Sequence, residues 1–305
     1  MAGLYIHIPF CAAKCAYCDF YSGPLREFDA ESYVTAAIRE LKARRKEVGN
    51  EPFATVYVGG GTPSSIDPKL LTPFLTEAAP EAEITVEANP EDVTPQWADT
   101  IMEIGVNRVS MGVQSLVDSE LKTVGRRHTA ARALEAVATL RRAGVSNISL
   151  DLIYGLPGQT LDTWRRSLDG ILSLGPQHLS AYLLSYEPGT RLYARLAAGK
   201  MEEASDELVT AMYTDLCDAA RHAGMEHYEI SNFAMPGWHS RHNSSYWDFT
   251  PYLGLGPGAH SFDGKVRRYN PPDLHRYMLS PESVAEAEPY ETHARHNDIV
   301  ITALR

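Results

Sequence analysis

GLYIHIPFCAAKCAYCDF, residues 3–20, is the stretch that decides how this chain is interpreted, because a short apolar strand pattern leads directly into clustered cysteines. Three of the four cysteines of the chain lie there: Cys11, Cys15 and Cys18. Thiolates at this CxxxCxxC spacing can hold three irons of a 4Fe-4S cluster and leave the fourth iron open to an exchangeable ligand. The spacing therefore predicts an open iron-sulfur site on a loop that follows the first strand.

Zinc binding and unligated thiols are the alternatives to an iron-sulfur cluster at these cysteines. A structural zinc site needs a fourth ligand at finger-like spacing, and His7 precedes the cysteines on the predicted strand rather than in a second knuckle. Reduced thiols without a bound metal fit the sequence even less well, because Pro9, Phe10 and Tyr17 around three cysteines do not form the pattern of a buried core segment. The cluster is the favoured interpretation.

Composition places the chain among ordinary globular proteins, with 305 residues, 44% hydrophobic and 22% charged. The formal net charge of -11, with no long basic stripe, argues against broad nucleic-acid binding. No basic region followed by an apolar run opens the sequence, and no stretch approaches the length of a membrane span. We therefore expect no signal peptide, no transmembrane segment and a cytoplasmic location, where clustered thiols stay reduced.

Strand patterns alternate with helix patterns along the first two thirds of the chain. Glycines at 105, 144 and 175 each follow a helical stretch, as left-handed caps do, and Thr94 and Thr129 are predicted N-caps. The predicted strands are Leu4–Ile8, Thr55–Val58, Ile84–Ala88, Arg108–Met111, Ile148–Ile153 and His178–Leu183. This rhythm predicts an α/β fold with a partial (β/α)6 barrel, whose functional groups gather where the strands end.

Polar or glycine-rich residues follow nearly every predicted strand at its C-terminal end. The second strand runs into a triple glycine, residues 59–61, followed by Thr62, and missing side chains there let a ligand approach the backbone. Asp151 lies among branched apolar neighbours, and a buried carboxylate is costly without a partner or a ligand. Glu87, Gln114 and Arg126 could each be structural, but their shared location on one barrel face favours a common site.

The motifs together resemble the radical S-adenosyl-L-methionine (SAM) superfamily. Within it, the chain is similar to the oxygen-independent coproporphyrinogen III oxidase-like group, and most similar to the heme chaperones of that group. The resemblance covers essentially the whole chain, since these motifs follow in family order: LYIHIPFC, CxxxCxYC, GGGTP, VEANP, GVQS, DLIYGLPGQT and HNSSYW.

The resemblance implies a role for each matching residue. Cys11, Cys15 and Cys18 would ligate a 4Fe-4S cluster whose open iron binds the amino and carboxylate groups of SAM. Tyr5 would lie beside the cofactor, and residues 60–62 would meet its methionine end. The residues that would contact the nucleoside or a second SAM site are Glu87, Gln114, Arg126 and Asp151.

One position of the sequence distinguishes the decarboxylating oxidases from the chaperone-like members of this group. In the decarboxylating oxidases a cysteine follows the third cluster ligand after one residue, and Phe20 stands at that position here. The chaperone-like members carry an HNxxYW motif, present as residues 242–247, and its His242 is a plausible axial ligand for heme. His242 could instead be a satisfied polar residue, and His239 and His260 are alternative ligands.

The region after Tyr186 is less informative. It suggests a helix over Asp206–Ala223, a strand over Glu226–Phe233 and a glycine-rich loop over Tyr252–Phe262 that could line a pocket. We expect a radical SAM core over residues 1–235 and an accessory region over 236–305. Family members continue for tens of residues into a helical domain, which predicts that this chain holds only the start of one.

The predicted function is a heme chaperone that binds heme and passes it to an acceptor protein, for example a respiratory one. The alternative is a radical SAM enzyme that acts on a porphyrin as an oxidase, a methyltransferase or a heme-degrading enzyme. Phe20 and the HNSSYW motif favour the chaperone, whereas the retained SAM-contact residues keep the enzyme as an alternative.

Overall fold

The computed structural model describes residues 1–24, 29–287, 297 and 300–302. The strands in these residues are β1 (Gly3–Ile8), β2 (Phe10–Cys11), β3 (Gly23–Pro24), β4 (Phe53–Gly60), β5 (Ala78–Ala88), β6 (Arg108–Gln114), β7 (Asn147–Tyr154), β8 (His178–Leu183), β9 (Glu226–Glu229), β10 (Asn232–Ala234), β11 (Tyr252–Leu255), β12 (His260–Phe262), β13 (Arg267–Tyr269) and β14 (Glu286–Ala287). The helices are α1 (Ala30–Arg44), α2 (Thr72–Leu75), α3 (Pro95–Glu103), α4 (Asp118–Thr123), α5 (Ala130–Arg142), α6 (Leu161–Ser173), α7 (Arg191–Ala197), α8 (Asp206–His222), α9 (Arg241–Trp247) and α10 (Leu274–Leu279).

Parallel strands form the centre of the fold. In the described part of the chain, β1, β4, β5, β6, β7 and β8 lie side by side in that order within a sheet of 12 strands. Helices separate consecutive members of this series, as the predicted six-unit alternation requires. The predicted α/β fold and partial barrel are confirmed, and the described residues form an open mixed sheet rather than a closed barrel.

Local sequence explains where the helices between these strands begin and end. Thr94 and Thr129 cap α3 and α5, and each side chain accepts a hydrogen bond from a backbone amide of the first turn. After α3, Gly105 has a φ of 93°, a conformation that only glycine adopts without strain. The helices cover one face of the sheet, where alternate strand residues such as Val109 and Leu150 are fully buried.

The C-terminal elements extend the same sheet at both edges. The hairpin of β9 and β10 pairs with β8, and β11 pairs in parallel with β1 and begins a run of antiparallel strands. The predicted helix over Asp206–Ala223 is confirmed as α8. Two predictions were wrong in detail: the single strand over Glu226–Phe233 is a hairpin, and the loop over Tyr252–Phe262 contains β11 and β12.

The rest of the accessory region adds little to these elements. Most of residues 288–305, where a further helical domain was expected to start, lie outside the described residues. The boundary at residue 235 stays a prediction. Along the part of the chain that the structure covers, no helix is both long and apolar enough to cross a membrane.

The short helix α9 packs against the face of the sheet that carries Thr55 and Glu83. Its first two amides, those of Arg241 and His242, donate to the carboxylate of Glu83 on β5 at 3.1 and 3.0 Å. Ser240 caps the helix through a hydrogen bond from the Asn243 amide. These contacts fix the HNSSYW segment against strands that precede it by more than a hundred residues.

Candidate cofactor site

A cavity of about 420 Å³ opens at the C-terminal ends of the parallel strands, and we call it the cluster cavity. All but two of the predicted site residues line it. They are Cys11, Cys15, Cys18, Gly60, Gly61, Thr62, Glu87, Gln114, Arg126 and Asp151. The strand order explains this grouping, because parallel strands end at the same edge and bring their following loops together.

The three cysteines enter the cluster cavity from the loop after β1. The Sγ of Cys11 accepts a hydrogen bond from the Thr62 hydroxyl at 3.4 Å, and the Sγ of Cys15 accepts one from Arg126 Nη1 at 3.5 Å. Burial raises the pKa of the Cys18 thiol to about 11, so a thiolate at this position requires a nearby cation.

The described residues contain no group of three or more His, Cys, Asp or Glu side chains placed to hold a single metal ion. A mononuclear zinc site requires its ligands to converge on one point. In a 4Fe-4S cluster, by contrast, each cysteine binds a different iron, so the thiolates stand apart. The three thiols on one cavity wall would supply one ligand to each of three irons of such a cluster.

Arg126 connects the cysteine loop to the strands. Its Nη2 donates to the Asn89 side chain and to the Gly112 carbonyl, both at 2.6 Å, while Nη1 reaches Cys15. Burial lowers the pKa of this guanidinium, but the neighbouring Tyr17 and Cys15 raise it more, so the group stays charged. Its Nε is buried and has no hydrogen-bond partner among the described residues, which leaves one donor for a ligand or a water molecule.

Glu87 lies at the end of β5 and already has protein partners. Its carboxylate accepts hydrogen bonds from the Tyr57 hydroxyl at 2.8 Å and from the Gly60 amide at 3.1 Å. Burial raises its pKa to about 7, with the nearby Asp151 adding to the rise. The carboxylate thus holds the glycine loop in place from inside the cavity.

Asp151 occupies the neighbouring part of the cavity wall. The Ser110 hydroxyl donates to its two oxygens at 3.4 and 3.5 Å, which leaves acceptor capacity for a hydroxyl-rich ligand. Burial raises its pKa to about 6, while hydrogen bonds and the positive charge of Arg108 oppose that rise. Its free oxygen lone pairs can accept hydrogen bonds from ribose hydroxyls.

Gln114 has an unusual backbone. Its φ is 70°, a region that residues other than glycine rarely adopt, and the pairing of β6 with β7 shifts register between Gly112 and Gln114. Such a bulge turns the side chain at the strand end away from the alternation of the strand. Strained backbone of this kind concentrates at functional sites, and here it faces the cluster cavity.

These residues fit SAM as a ligand. A zwitterion with a ribose needs carboxylate or amide side chains around it, and Glu87, Asp151 and Gln114 line the cavity. Bound there, the cluster and SAM would provide one-electron chemistry. The protein residues would position the ligand and exclude water.

A second cavity, of about 320 Å³, adjoins the first, and we call it the aromatic cavity. Its lining residues are Tyr5, His7, Phe20, Tyr21, Gly60, Glu87, Tyr246, Tyr252, Gly258 and His260. Phe20, Gly60 and Glu87 line both cavities, so they form the partition between them. Tyr5, predicted to lie beside the cofactor, lines this second cavity instead.

His242 lines neither cavity. Its ring is 1% exposed, its Nδ1 is 2.8 Å from the Thr55 hydroxyl, and its Nε2 is 3.0 Å from the Tyr246 hydroxyl. Burial, with a contribution from Arg108, lowers its pKa to about 3, so the ring is neutral. The structure therefore does not present His242 as an axial ligand, because both ring nitrogens already have polar partners.

The sequence reasoning missed several lining residues. Asn89 follows Glu87 within VEANP and holds Arg126, and Ser110, Ser180 and Tyr182 line the cluster cavity from β6 and β8. Alternation along the strands could have indicated the serines, because they share a face with Asp151. Asn243 also lines this cavity, although no strand pattern indicated it.

Known proteins resemble this chain in sequence and in fold. The model of the radical SAM superfamily matches residues 5–171. In the structure of coproporphyrinogen III oxidase (HemN) from Escherichia coli, a radical SAM enzyme, the fold is the same, with a TM-score of 0.78. That likeness has 22% identity and covers 99% of this chain and 75% of the oxidase. Fold and site thus define a radical SAM protein.

Relatives in sequence identify the family within this superfamily to which the chain belongs. The heme chaperone HemW of Mycobacterium tuberculosis is 36% identical, over 99% of this chain and 81% of that protein. HemW of Bacillus subtilis is 35% identical, over 91% of this chain and 75% of that protein. The chain belongs to the radical SAM superfamily and, within it, to the HemW family.

Proposed function

We propose that this protein is a heme chaperone, which binds heme and passes it to an acceptor protein. In this proposal Cys11, Cys15 and Cys18 hold a 4Fe-4S cluster in the cluster cavity, and SAM binds beside it. The observation that carries the proposal is the pair of adjoining cavities, one with thiols and ligand-binding polar groups and one with aromatic walls.

In this proposal, different residues of the cluster cavity contact different parts of SAM. The loop of residues 60–62 lines the cavity next to the cysteines, and the missing Cβ atoms of Gly60 and Gly61 let this loop pack against His7 and the strand-end carbonyls. Asp151 and Gln114 offer acceptors to hydroxyl and amino groups, and Arg126 holds the cysteine loop against the strands.

Phe20 supports the chaperone rather than an oxidase. The side chain is 63% exposed on the partition between the two cavities, where it offers apolar surface to a flat ligand. It offers no thiolate at the position of the fourth cysteine of the decarboxylating oxidases. The relatives named heme chaperones favour the same conclusion.

A second candidate function is a radical SAM enzyme that acts on a porphyrin. The intact set of predicted SAM contacts around the cluster cavity favours it, because heme transfer alone does not require SAM cleavage. The two candidates differ in whether 5'-deoxyadenosine forms during turnover.

One experiment separates them. Anaerobically reconstituted protein is given heme, SAM and a reductant, and the same sample is assayed for the heme spectrum, for 5'-deoxyadenosine and for transfer of heme to apo-cytochrome. Stoichiometric heme binding and transfer without product turnover is the result expected of a chaperone. Catalytic 5'-deoxyadenosine formation coupled to porphyrin conversion would replace that function with the enzyme, and absence of heme binding would refute the chaperone.

A further inference from the structure

We propose that the aromatic cavity is the heme site of this protein and that His260 is the protein ligand of the heme iron. The inference rests on the proposed chaperone function and specifies where its cargo binds. It assigns the iron ligand to His260 on β12, eighteen residues after His242 on α9, which the sequence had suggested.

The iron ligand is assigned by asking which histidine at the aromatic cavity has a ring nitrogen without a hydrogen-bond partner. Two histidines, His7 and His260, line the aromatic cavity, and His242 lies behind it. His7 is 5% exposed, with Nδ1 3.0 Å from the Tyr5 hydroxyl and Nε2 2.8 Å from the Tyr21 carbonyl. Because burial lowers the pKa of His7, its ring is neutral: Nε2–H donates to the carbonyl and Nδ1 accepts from the phenol.

His260 differs from both of these rings. Its side chain is exposed, and its ring stacks on Tyr269 with the ring centroids 5.9 Å apart and a tilt of 29°. Within the described part of the chain, no hydrogen bond or ion pair engages either of its nitrogens. An imidazole with a free ring nitrogen is the common protein ligand of heme iron, and the stacked tyrosine fixes the ring plane.

The other walls suit a flat apolar ring. Phe20, Tyr21, Tyr246 and Tyr252 surround the same cavity as His260, and Gly258 leaves space between them. At about 320 Å³ the cavity is near the small end of protein ligand sites, which span roughly 300–1,000 Å³. It therefore admits one edge of the macrocycle and leaves the rest at the surface, where an acceptor protein can reach it.

This geometry also gives the HNSSYW motif a role. His242 fixes the hydroxyl of Tyr246 at 3.0 Å, and the two rings meet edge to face with centroids 5.4 Å apart. Tyr246 in turn forms a wall of the aromatic cavity. His242 is thus a positioning residue that acts on heme through Tyr246, and it does not touch the iron.

The test compares three histidine variants of the cluster-loaded protein by titration with ferric heme, followed by absorbance and electron paramagnetic resonance. His260→Ala is expected to lose the imidazole-ligated spectrum and at least about tenfold in heme affinity. Added free imidazole is expected to restore that spectrum. His239→Ala is the control, because His239 is likewise stacked on a tyrosine but is half-exposed, pairs with Glu226 and lines neither cavity.

His242→Ala separates ligation from positioning. It is expected to weaken heme binding while the imidazole-ligated spectrum stays unchanged. Iron content and SAM affinity report whether each variant folds, because His260 and His242 do not line the cluster cavity. A second variant, His260→Cys, is expected to exchange the imidazole spectrum for that of thiolate ligation.

The outcomes distinguish this inference from the function on which it rests. A native protein that binds no heme refutes the proposed function. A native protein that binds heme, together with a His260→Ala variant of unchanged spectrum and affinity, overturns the assignment of His260 alone. Loss of the imidazole spectrum in His242→Ala, or failure of free imidazole to restore it in His260→Ala, would overturn the assignment as well.

Discussion

Substituting Gly60 with alanine should destabilise the partition between the two cavities. Gly60 has a φ of 107°, and a Cβ built on it would lie 2.6 Å from Nδ1 and 2.7 Å from Cε1 of the His7 ring. That ring cannot swing aside freely, because hydrogen bonds hold it at both nitrogens. The new methyl group must therefore displace the ring or the loop.

The magnitude follows from two separate costs. A left-handed backbone costs a residue with a Cβ roughly 1–2 kcal/mol. Displacement of the His7 ring weakens one or both of its hydrogen bonds, each worth about 1 kcal/mol. We therefore expect Gly60→Ala to lower the free energy of unfolding by about 2–4 kcal/mol.

Gly105→Ala is the matched control for the backbone cost. Gly105 has a φ of 93°, and a Cβ there would meet no heavy atom of the described residues within 4 Å. Urea denaturation followed by circular dichroism should give a loss of roughly 1–2 kcal/mol for this variant. Gly60→Ala should exceed it by about 1–2 kcal/mol, the cost of displacing the His7 ring.

A double-mutant cycle tests the stated cause. In a His7→Ala background, the ring that obstructs the methyl group is gone, so the excess cost of Gly60→Ala should disappear. Equal losses for Gly60→Ala and Gly105→Ala in the native background, or an excess that persists without His7, would refute the reasoning.

Three further substitutions test different parts of the site. Cys15→Ser should lose most of the cluster iron in anaerobic iron and sulfide analysis, whereas Cys217→Ser, in α8 and away from both cavities, should keep it. Gly61→Ala should destabilise more than Gly60→Ala in urea denaturation, because its Cβ would meet backbone carbonyl oxygens at 2.6 and 2.8 Å. Burial raises the pKa of Glu87 from 4.5 to about 7, so the stability that this residue contributes is fully present below pH 4.5 and is lost as pH rises towards 7. The free energy of unfolding of the native protein should therefore fall relative to that of Glu87→Gln over this range. Parallel pH profiles of the two proteins would contradict this.

The cluster cavity could be predicted from sequence because its residues follow regular elements. Cys11, Gly60, Glu87 and Asp151 lie at or just beyond the ends of parallel strands, and the geometry of such a sheet brings strand ends together without knowledge of side-chain contacts. The positions of the strands could also be predicted from the sequence, because apolar segments rich in branched residues alternate with capped helices.

The aromatic cavity could not be predicted in the same way. Apart from Gly60 and Glu87, its walls come from the first 21 residues and from residues 246–260, and the pairing of β11 with β1 brings these two segments together. The burial of His242 has a similar origin. Its polar partners Thr55 and Glu83 precede it by 187 and 159 residues, and a polar motif in a segment without clear periodicity resembled an exposed binding loop.

The position of α9 has a consequence for how two ligands would influence each other. Asn243 on this helix lines the cluster cavity, and Tyr246, one turn later, lines the aromatic cavity. Any shift of the helix that a ligand caused in one cavity would therefore reach the wall of the other. Thermodynamic reciprocity then requires that the factor by which SAM changes heme affinity equals the factor by which heme changes SAM affinity.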